Sequence, residues 1–396
     1  MDNIGARKDW TVFLYQGGVN NLDSSLAKNL KELSNCDYPE NIDVLVRQLD
    51  GQGRQQDYRI DSQGLTSINQ LRQNVDSSSP NTLSEFLQNG IKTYPAKHYM
   101  LVISSHGKGA EGVIEDDRQH KLMSLPELRS ALELAGQPMD VVYFDACRMM
   151  TAEVASELQD TAKVMIGSMD RIDSAGYDPS QMLSAVSNSA DAKELGNQLV
   201  YNFEKRQLNT FRTLSAVDLS KLSPLEKAFQ QLSHQLGKLD PESAGQVRQT
   251  LLQSRRATPS PTYLEGLDAM ADSILGGNTS DLSDWLEQVR PSSPISVLAL
   301  CHDLADHPTL QLANPELIIA AKAAIAAHNQ AVFAQRNQDC DGLSVMLPIE
   351  QSTEMSKLPL AFEQATDWHT AVNHLIPPGS PANLPKTWLE EELERS

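Results

Sequence analysis

The sequence is poor in cysteine and in basic residues. Its 396 residues include only four cysteines, and none of them forms a CxxC pair with another. This spacing argues against a disulfide-stabilised fold and against a structural zinc site. Lysine and arginine together number 33, against 52 aspartate and glutamate residues, so the net charge is −19. Proteins that bind nucleic acid or anionic membranes present basic surfaces, and we therefore expect neither partner.

Long hydrophobic runs are also missing. The first ten residues, MDNIGARKDW, contain no apolar stretch, and the first apolar run, Trp10–Tyr15, is far shorter than a signal-peptide core or a transmembrane helix. We therefore expect a cytoplasmic protein that does not enter the membrane. The hydrophobic content of 40% is nevertheless that of a folded globular protein, which excludes wholesale disorder.

Apolar strands alternate with amphipathic helices in the first half of the chain. Strands are predicted at Trp10–Tyr15, Asp43–Leu49, His98–Ser104, Asp140–Phe144 and Lys163–Ser168, and helices at Leu26–Leu33, Leu83–Thr93 and Leu125–Ala135. Strands that are apolar throughout are typical of parallel sheets with helices on both faces. The pattern therefore predicts an α/β domain with a mostly parallel central sheet.

The remainder of the chain is predicted to be mainly helical. We assign residues 1–190 to the α/β core and residues 191–348 to a helical second part. Two further strands are predicted within this second part, at Thr213–Val217 and Gly342–Pro348, and we expect the latter to return to the core. Residues 349–396 form a C-terminal extension, and its end, from Pro377 onward, is expected to be a loosely attached tail.

Two of the predicted strands end in reactive residues. The run HYMLVIS leads into Ser105, His106 and Gly107, and the run DVVYF leads into Asp145, Ala146 and Cys147. Open α/β sheets place ligands at the carboxyl ends of their strands. An imidazole near a thiol can hold it as thiolate or protonate a leaving amine. The alternative is that Cys147 is a buried core thiol and His106 a loop histidine, but the strand-end placement of both favours catalysis.

Around these residues the sequence resembles the clostripain family of cysteine peptidases, which belongs to the clan with the caspase-like fold. The resembling segments are DWTVFLYQGGVNNLD, YPAKHYMLVISSHGKG, MSLPELRSAL, VVYFDACRMMTAEVASEL, TLSAVDLS, TYLEGLDAMADSIL and GLSVMLP, which together cover about residues 9–348. Two stretches depart from the family pattern. SMDRIDSAGYDP replaces an acidic cluster with Pro-Gly and Gly-Trp, and Gly17-Gly18-Val19 replaces the commoner start of the first loop.

The resemblance implies a caspase-like α/β/α sandwich with a helical insertion. It also implies an endopeptidase that cleaves protein substrates after Arg or Lys, with Cys147 as the nucleophile and His106 as the acid–base partner. The backbone N–H groups of Gly107 and Cys147 would form the oxyanion hole. Asp145 matches the family's pocket acid, because it lies on the same strand face as Cys147 and a basic side chain needs a carboxylate partner. Further candidates for this pocket are Asp170 and Asp173. We expect the protein to be a monomer.

Family members are often cut internally, which implies self-processing here as well. The segment between the two strands carries Arg118 and Lys121 in an expected exposed turn, and a second candidate, Arg255-Arg256, lies in QSRRATPSP, which is typical of a linker. Two other functions stay open. The chain is alternatively an inactive family member that acts as a binding or scaffold module, or a thiol enzyme of another kind, such as an acyltransferase.

No cofactor is expected, although some family members need calcium. The turn Asp339–Gly342 has the acidic residues of a weak calcium site, and a polar turn before a strand explains it equally well. The GxGxxG match at Gly107–Gly112 does not indicate a dinucleotide site, because no helix is predicted to follow it. The residues Cys301, His302, Asp303 and His307 lack a second pair of ligands for a metal. We expect Asn20 and Asn21 to cap the first helix or to order its loop.

Overall fold

The computed structural model describes residues 7–172, 174–201, 213–257, 292–335, 342–348 and 359–375 of the chain. Its strands are β1 (Lys8–Gly17), β2 (Ile42–Leu49), β3 (Gln55–Asp61), β4 (Gly64–Ser67), β5 (Ala96–Ser104), β6 (Val113–Asp116), β7 (Lys121–Met123), β8 (Met139–Asp145), β9 (Ala162–Gly167), β10 (Ser215–Asp218), β11 (Ser292–Ser296), β12 (Val332–Gln335) and β13 (Ser344–Pro348). Short 3-10 helices span Gly109–Glu111 and Leu219–Lys221.

The α-helices connect these strands or follow them. They are α1 (Asp23–Leu33), α2 (Pro80–Thr93), α3 (Leu125–Leu134), α4 (Ala152–Leu158), α5 (Pro179–Asn188), α6 (Ala192–Tyr201), α7 (Ser223–Leu236), α8 (Pro241–Ala257), α9 (Val297–Asp306), α10 (Pro308–Ala313), α11 (Pro315–Ala331), α12 (Ala361–Thr366) and α13 (Trp368–His374). The strands and helices predicted for the first half of the chain are confirmed, with ends that shift by a few residues.

The central sheet is built around parallel strands. Its order is β12-β10-β9-β8-β5-β1-β2-β3-β4. Strands β2, β1, β5, β8 and β9 are parallel to their neighbours in this series. Antiparallel strands extend the sheet on both sides, with β3 and β4 beyond β2, and β10 and β12 beyond β9. The mostly parallel α/β architecture expected from the sequence is thus confirmed.

Both faces of this sheet are buried. Alternate side chains of a strand point to opposite faces, and in β1 the residues Phe13 and Tyr15 share a buried cluster with α2, α3 and α4. Val12 and Leu14 belong instead to a cluster with α1, α5 and α6. All four side chains are at most 1% exposed. The molecule is therefore a three-layer α/β/α sandwich, and burial on both faces explains why its central strands are apolar throughout.

The strand that the end of the helical second part adds to the central sheet is not the predicted one. Its strands β10 and β12 pair antiparallel and form one side of the central sheet, and β12 has no counterpart among the predicted strands. The predicted strand Gly342–Pro348 is β13, which pairs with β11 in a separate two-stranded sheet rather than with a central strand. An isolated bridge from Ser344 to Thr151 links β13 to the start of α4.

Part of the C-terminal extension belongs to the core. Phe362 in α12 and Trp368 in α13 are fully buried, and their rings lie 5.4 and 5.0 Å from the ring of Phe229 in α7. These helices pack against α7 and α4 and so lie behind the segment that follows the candidate nucleophile. The predicted loose tail, from residue 377 to residue 396, lies outside the described residues.

Candidate active site

The carboxyl ends of β5 and β8 bring His106 and Cys147 to the same edge of the sheet. These strands are adjacent and parallel, and Ser104 is paired with Asp145 at their ends. His106 and Cys147 each follow two residues beyond a paired position. The juxtaposition predicted from the two strand ends is therefore present, and it results from strand register rather than from any direct bond between the side chains.

Gly107 lies against the turn that carries Cys147. A Cβ atom at this position would stand 2.6 Å from the carbonyl oxygen of Cys147 and 2.8 Å from Sδ of Met149. Real Cβ contacts are longer than this, so only glycine allows the two strand ends to approach so closely. The chain after Gly107 forms a short 3-10 helix and the β6–β7 hairpin. No long helix opens within these residues, whereas a dinucleotide-binding motif of this type leads into one.

The thiol of Cys147 is held by the loop that follows β9. The backbone N–H of Ile172 donates to Sγ of Cys147 at 3.3 Å, and the thiol lies 3.8 Å from the carbonyl oxygen of the same residue. The amide of Arg148, the residue after Cys147, donates to the carbonyl oxygen of Asp170 at 3.0 Å. Burial raises the pKa of Cys147, although the hydrogen bond from Ile172 opposes this shift. The thiol is therefore protonated at neutral pH.

The imidazole of His106 is bound by Asn21. Its Nε2 lies 2.7 Å from Oδ1 of Asn21, in the loop after β1. Burial lowers the pKa of His106, so the ring is neutral at neutral pH. His106 and Cys147 thus form a neutral pair rather than a thiolate–imidazolium ion pair.

Asn20 fixes the loop that carries Asn21. Its Nδ2 donates to the carbonyl oxygens of Gly17 at 3.0 Å and of Glu115 at 2.9 Å, and its Oδ1 accepts from the amide of Leu22 at 2.9 Å. The prediction that the asparagine pair orders this loop is confirmed for Asn20. The contact between Asn21 and His106 was not predicted from the sequence. The feature that could have indicated it is an asparagine that follows β1, the strand adjacent to β5, which leads to His106.

Asp145 is buried beside the site. Its Oδ2 accepts a hydrogen bond from Oγ of Ser104 at 2.8 Å. A Cβ atom on Gly176 would stand 2.8 Å from that same oxygen, so the backbone of the loop before α5 covers the carboxylate closely. Asp170 lies on the loop that holds the thiol, and its Oδ1 accepts from the amide of Arg171 at 2.7 Å. The third acidic candidate, Asp173, lies outside the described residues.

The proposed self-cleavage residues occupy two different settings. Arg118 lies in the exposed turn of the β6–β7 hairpin, as predicted, where its guanidinium donates to the carbonyl of Gln52 and to Oδ1 of Asn74. Lys121 forms an ion pair with Glu127 at 2.9 Å. Arg255 and Arg256 fall in the last turn of α8 rather than in the expected linker, and the chain beyond residue 257 lies outside the described residues up to residue 291.

The described residues also bear on metal binding and on membrane insertion. Among the residues that the structure describes, no group of three or more His, Cys, Asp or Glu side chains is arranged to hold a metal ion. Cys301 is buried in α9, where burial raises its pKa to about 12. Most of the possible calcium turn, residues 339–341, lies outside the described ranges. No helix within those ranges has the length and apolarity needed to cross a membrane.

Comparison with known proteins assigns the family. A model of the clostripain family matches residues 14–296, which is well over half of the chain. The protein belongs to the clostripain family. It is accordingly a cysteine peptidase, and its substrates are proteins. No curated protein matches the sequence.

Solved structures of family members share the fold. A secreted C11 cysteine protease from Bacteroides thetaiotaomicron in complex with an irreversible peptide inhibitor has a TM-score of 0.64 and 16% identity, covering 91% of this chain and 99% of that one. An inactive zymogen C11 protease from Parabacteroides distasonis has a TM-score of 0.65 and 18% identity, covering 92% and 99% respectively. These likenesses show the caspase-like fold alone. Because the first relative is described as secreted, the family does not support the expected cytoplasmic location.

Proposed function

We propose that the protein is an endopeptidase that cleaves after Arg or Lys, with Cys147 as its nucleophile and His106 as its acid–base residue. The observation that carries this proposal is the register of β5 and β8, which brings both residues to the edge of the sheet where α/β proteins bind ligands. The approach of Gly107 to Cys147 supports it, because the chain segments after the two strands are in close contact.

The neutral state of both groups defines the order of proton transfers. His106 accepts the proton of Cys147 as Sγ attacks the carbonyl carbon of the substrate, which gives a tetrahedral intermediate and an imidazolium. The imidazolium then donates its proton to the leaving amine, and a thioester forms as the peptide bond breaks. Water, deprotonated by His106, hydrolyses the thioester and restores the thiol. A single histidine thus serves as base and as acid within one cycle.

The amides of Gly107 and Cys147 are suited to the oxyanion. Gly107 and Val113 form an isolated antiparallel bridge. Its hydrogen bonds run from the amide of Ile114 to the carbonyl of His106 and from the amide of Lys108 to the carbonyl of Gly112, so Gly107 and Val113 exchange none themselves. Neither amide of the proposed pair donates a hydrogen bond to another residue in the described part of the chain. Two unused N–H groups on adjacent strand ends are the donors that a tetrahedral oxyanion requires.

The specificity for basic residues rests on Asp145. The carboxylate is buried two residues before the nucleophile, and Gly176 covers it with backbone where any other residue would place a side chain against the carboxylate. A carboxylate in that position offers a charged partner to the guanidinium or ammonium of a substrate side chain. Asp170 and Asp173 are weaker candidates for the same role.

Cleavage of a fluorogenic peptide ending in Arg tests the peptidase proposal. We expect the wild type to cleave it and Cys147→Ala and His106→Ala to lose activity by a factor of about 1,000 or more. Cys147→Ala removes little packing volume, so its circular dichroism spectrum and Tm should match the wild type. Turnover retained by Cys147→Ala would refute the assignment of the nucleophile. An inactive wild type that still binds peptide would instead favour the scaffold function.

A matched pair of variants tests the pocket. Asp145→Asn should reduce kcat/KM for Arg and Lys peptides by about 100-fold or more, because a buried cation left without its partner costs on the order of 3–5 kcal/mol. Asp160→Asn, on an exposed turn after α4, removes the same charge far from the pocket and should leave kcat/KM unchanged. If Asp145→Asn keeps the preference for basic residues, then its carboxylate has only a structural role.

We further propose that the enzyme processes itself at Arg118–Lys121 or at Arg255–Arg256. The first segment supports this idea through its position, since the amide of Ile114 in β6 donates to the carbonyl of His106 and the hairpin therefore adjoins the site. Intact-mass mapping of the wild type and Cys147→Ala, incubated side by side, tests the proposal. Fragments ending at these residues in the wild type alone would support it. A wild type that stays whole while cleaving an Arg peptide would refute it.

A further inference from the structure

Asn21 lies within hydrogen-bonding distance of the proposed catalytic histidine, with 2.7 Å between its Oδ1 and Nε2 of His106. We propose that Asn21 is a positioning residue, which accepts a hydrogen bond from Nε2–H and so leaves Nδ1 of His106 as the base for the thiol. This inference rests on the proposed function of His106 and Cys147. It assigns to the asparagine the orientation of the ring and the choice of its neutral tautomer.

The amide oxygen explains the choice of tautomer. An amide oxygen only accepts hydrogen bonds, so a neutral imidazole that faces it must carry its proton on Nε2. The lone pair is then on Nδ1, on the other side of the ring. When His106 becomes an imidazolium during the reaction, Nε2–H still donates to Asn21, and the contact persists through the cycle. A side chain that fixes both ring orientation and tautomer lowers the entropic cost of reaching the reactive geometry.

Neighbouring residues hold the loop that carries Asn21 in place. Asn20 ties the loop to β1, to the β6 strand and to the start of α1 through three hydrogen bonds of 2.9–3.0 Å. A further bond runs from the amide of Asp117 to the carbonyl of Val19 at 2.9 Å. Asn20 is buried whereas Asn21 is exposed. The first asparagine is therefore structural, and the second presents its amide to the imidazole.

The electrostatic setting of His106 makes a neutral partner suitable. Glu115 and Asp117 on the β6–β7 hairpin favour the imidazolium, whereas Lys108 and Arg171 oppose it, and burial opposes it more strongly than any of these. The neighbouring titratable thiol is that of Cys147. An aspartate in place of Asn21 would add a negative charge in direct contact with the ring and would stabilise the imidazolium before the reaction begins. An asparagine orients the ring without that consequence.

Substitution of Asn21 separates positioning from structural support. We expect Asn21→Ala to lower kcat about 10–100-fold with KM nearly unchanged, because the lost contact orients the base and binds no substrate. Asn21→Asp should raise the pKa of His106, because the new carboxylate stabilises the imidazolium, and this moves the acidic limb of kcat/KM to higher pH. Asn89→Ala, an exposed asparagine on α2, is the matched control and should behave like the wild type.

A spectroscopic measurement keeps this test independent of turnover. The sample is Cys147→Ala with 15N-labelled histidine, and the His106 resonance is assigned by its loss when His106→Ala is added. We expect this resonance to report a proton on Nε2. Adding Asn21→Ala should shift it toward a mixture of tautomers. An Nδ1–H tautomer in the parent protein, or wild-type kcat and pH profile in Asn21→Ala, would overturn the inference. Absence of any peptidase activity in the wild type would count against the proposed function, while the tautomer would still be decided by the spectrum.

Discussion

The thiol and the imidazole at the centre of the site are hydrogen-bonded to two different loops. The amide of Ile172 donates to Sγ of Cys147, and Oδ1 of Asn21 lies against Nε2 of His106, so each group has its own partner in the surrounding loops. Burial raises the pKa of the thiol and lowers that of the imidazole, and both shifts favour the neutral forms. The resting enzyme is therefore predicted to react by coupled proton transfer, unlike peptidases that keep a preformed thiolate.

The pH dependence of activity follows from the neutral histidine. His106 serves as a base only when it is unprotonated, and burial holds its pKa below the ordinary value of 6.5. As the pH falls, activity should be retained through 6.5 and should be lost only at lower pH. The measurement is kcat/KM for an Arg peptide across pH 4 to 9. An acidic limb with its midpoint above 6.5 would show that His106 is stabilised as an imidazolium instead.

Gly107 is the residue whose substitution should affect the site most through the backbone. In Gly107→Ala the new methyl group would overlap the carbonyl oxygen of Cys147, which is 2.6 Å from the Cβ position. The two strand ends must then separate, which costs about 1–3 kcal/mol of stability and displaces the oxyanion donors. We expect a lower Tm and a loss of kcat of at least about tenfold.

A glycine elsewhere in the chain provides the control. Gly245 lies on the exposed face of α8, and a Cβ atom there would meet nothing within 4 Å. Gly245→Ala should be neutral, or stabilising by about 0.5–1 kcal/mol, because alanine has the higher helix propensity. If Gly107→Ala were as benign as Gly245→Ala in both Tm and kcat, the close approach of the strand ends would have no part in the site.

At the scale of helices and strands, the sequence predicts the elements whose apolar runs or capping residues lie within their own segment. The central strands are apolar runs and α3 begins with Ser124, a proline at its start and Glu127, so both kinds of element are confirmed. Strand β3 reads QQDYRID and β12 spans only four residues, which gives neither of them an apolar run to detect. Such strands in the outer parts of the sheet form because neighbouring strands offer them partners, and this information is not local.

The same distinction applies within the candidate site. His106 and Cys147 were found because each directly follows an apolar strand, and parallel register brings strand ends together. The contacts of Ile172 with the thiol and of Asn21 with the imidazole come from loops that are distant in sequence. Their positions depend on the packing of the finished fold. The residues proposed to carry the chemistry were thus predictable, whereas the residues that contact them were not.

The start of α3 offers a test of a local signal. Oγ of Ser124 accepts from the amide of Glu127, and the carboxylate of Glu127 accepts from the amide of Ser124 at 2.9 Å, which forms a capping box. We expect Ser124→Ala to lower the free energy of unfolding by about 1 kcal/mol. Ser130→Ala, on the exposed side of the same helix, should have no such effect. Equal stability of the two variants in urea denaturation would show that the box is dispensable.

At the scale of the whole molecule, a buried ionic cluster joins the C-terminal helices to the segment after Cys147. His369 in α13 pairs through Nε2 with Glu153 of α4 at 3.1 Å, and its Nδ1 lies 3.2 Å from Glu363 of α12. The same oxygen of Glu153 accepts from the amide of Met346 in β13 at 2.9 Å. Helix α4 begins five residues after Cys147, so the extension supports the segment that follows Cys147.

This cluster should make stability sensitive to alkaline pH. Burial alone would lower the pKa of His369, but the carboxylates of Glu153 and Glu363 together outweigh it and raise this pKa to about 9, above the ordinary value of 6.5. A group whose pKa is higher in the folded state stabilises the fold fully below its unfolded pKa and loses that contribution as the pH rises through the folded value. The contribution, on the order of 3 kcal/mol, should therefore decline between pH 6.5 and about 9 or slightly above.

Two histidine variants on α13 check the source of this dependence. His369→Asn removes the buried cation and should therefore lower the Tm at pH 6. Between pH 6 and pH 9.5, the Tm of this variant should fall less than that of the wild type. His374→Asn, at an exposed position on the same helix, should keep the decline of the wild type. Because deprotonation leaves two buried carboxylates without their shared cation, the loss should be cooperative and reversible on return to pH 6. A wild-type Tm that stays constant from pH 6.5 to 9.5 would mean that His369 is neutral in the fold, and that hydrogen bonds without charge hold the extension to α4.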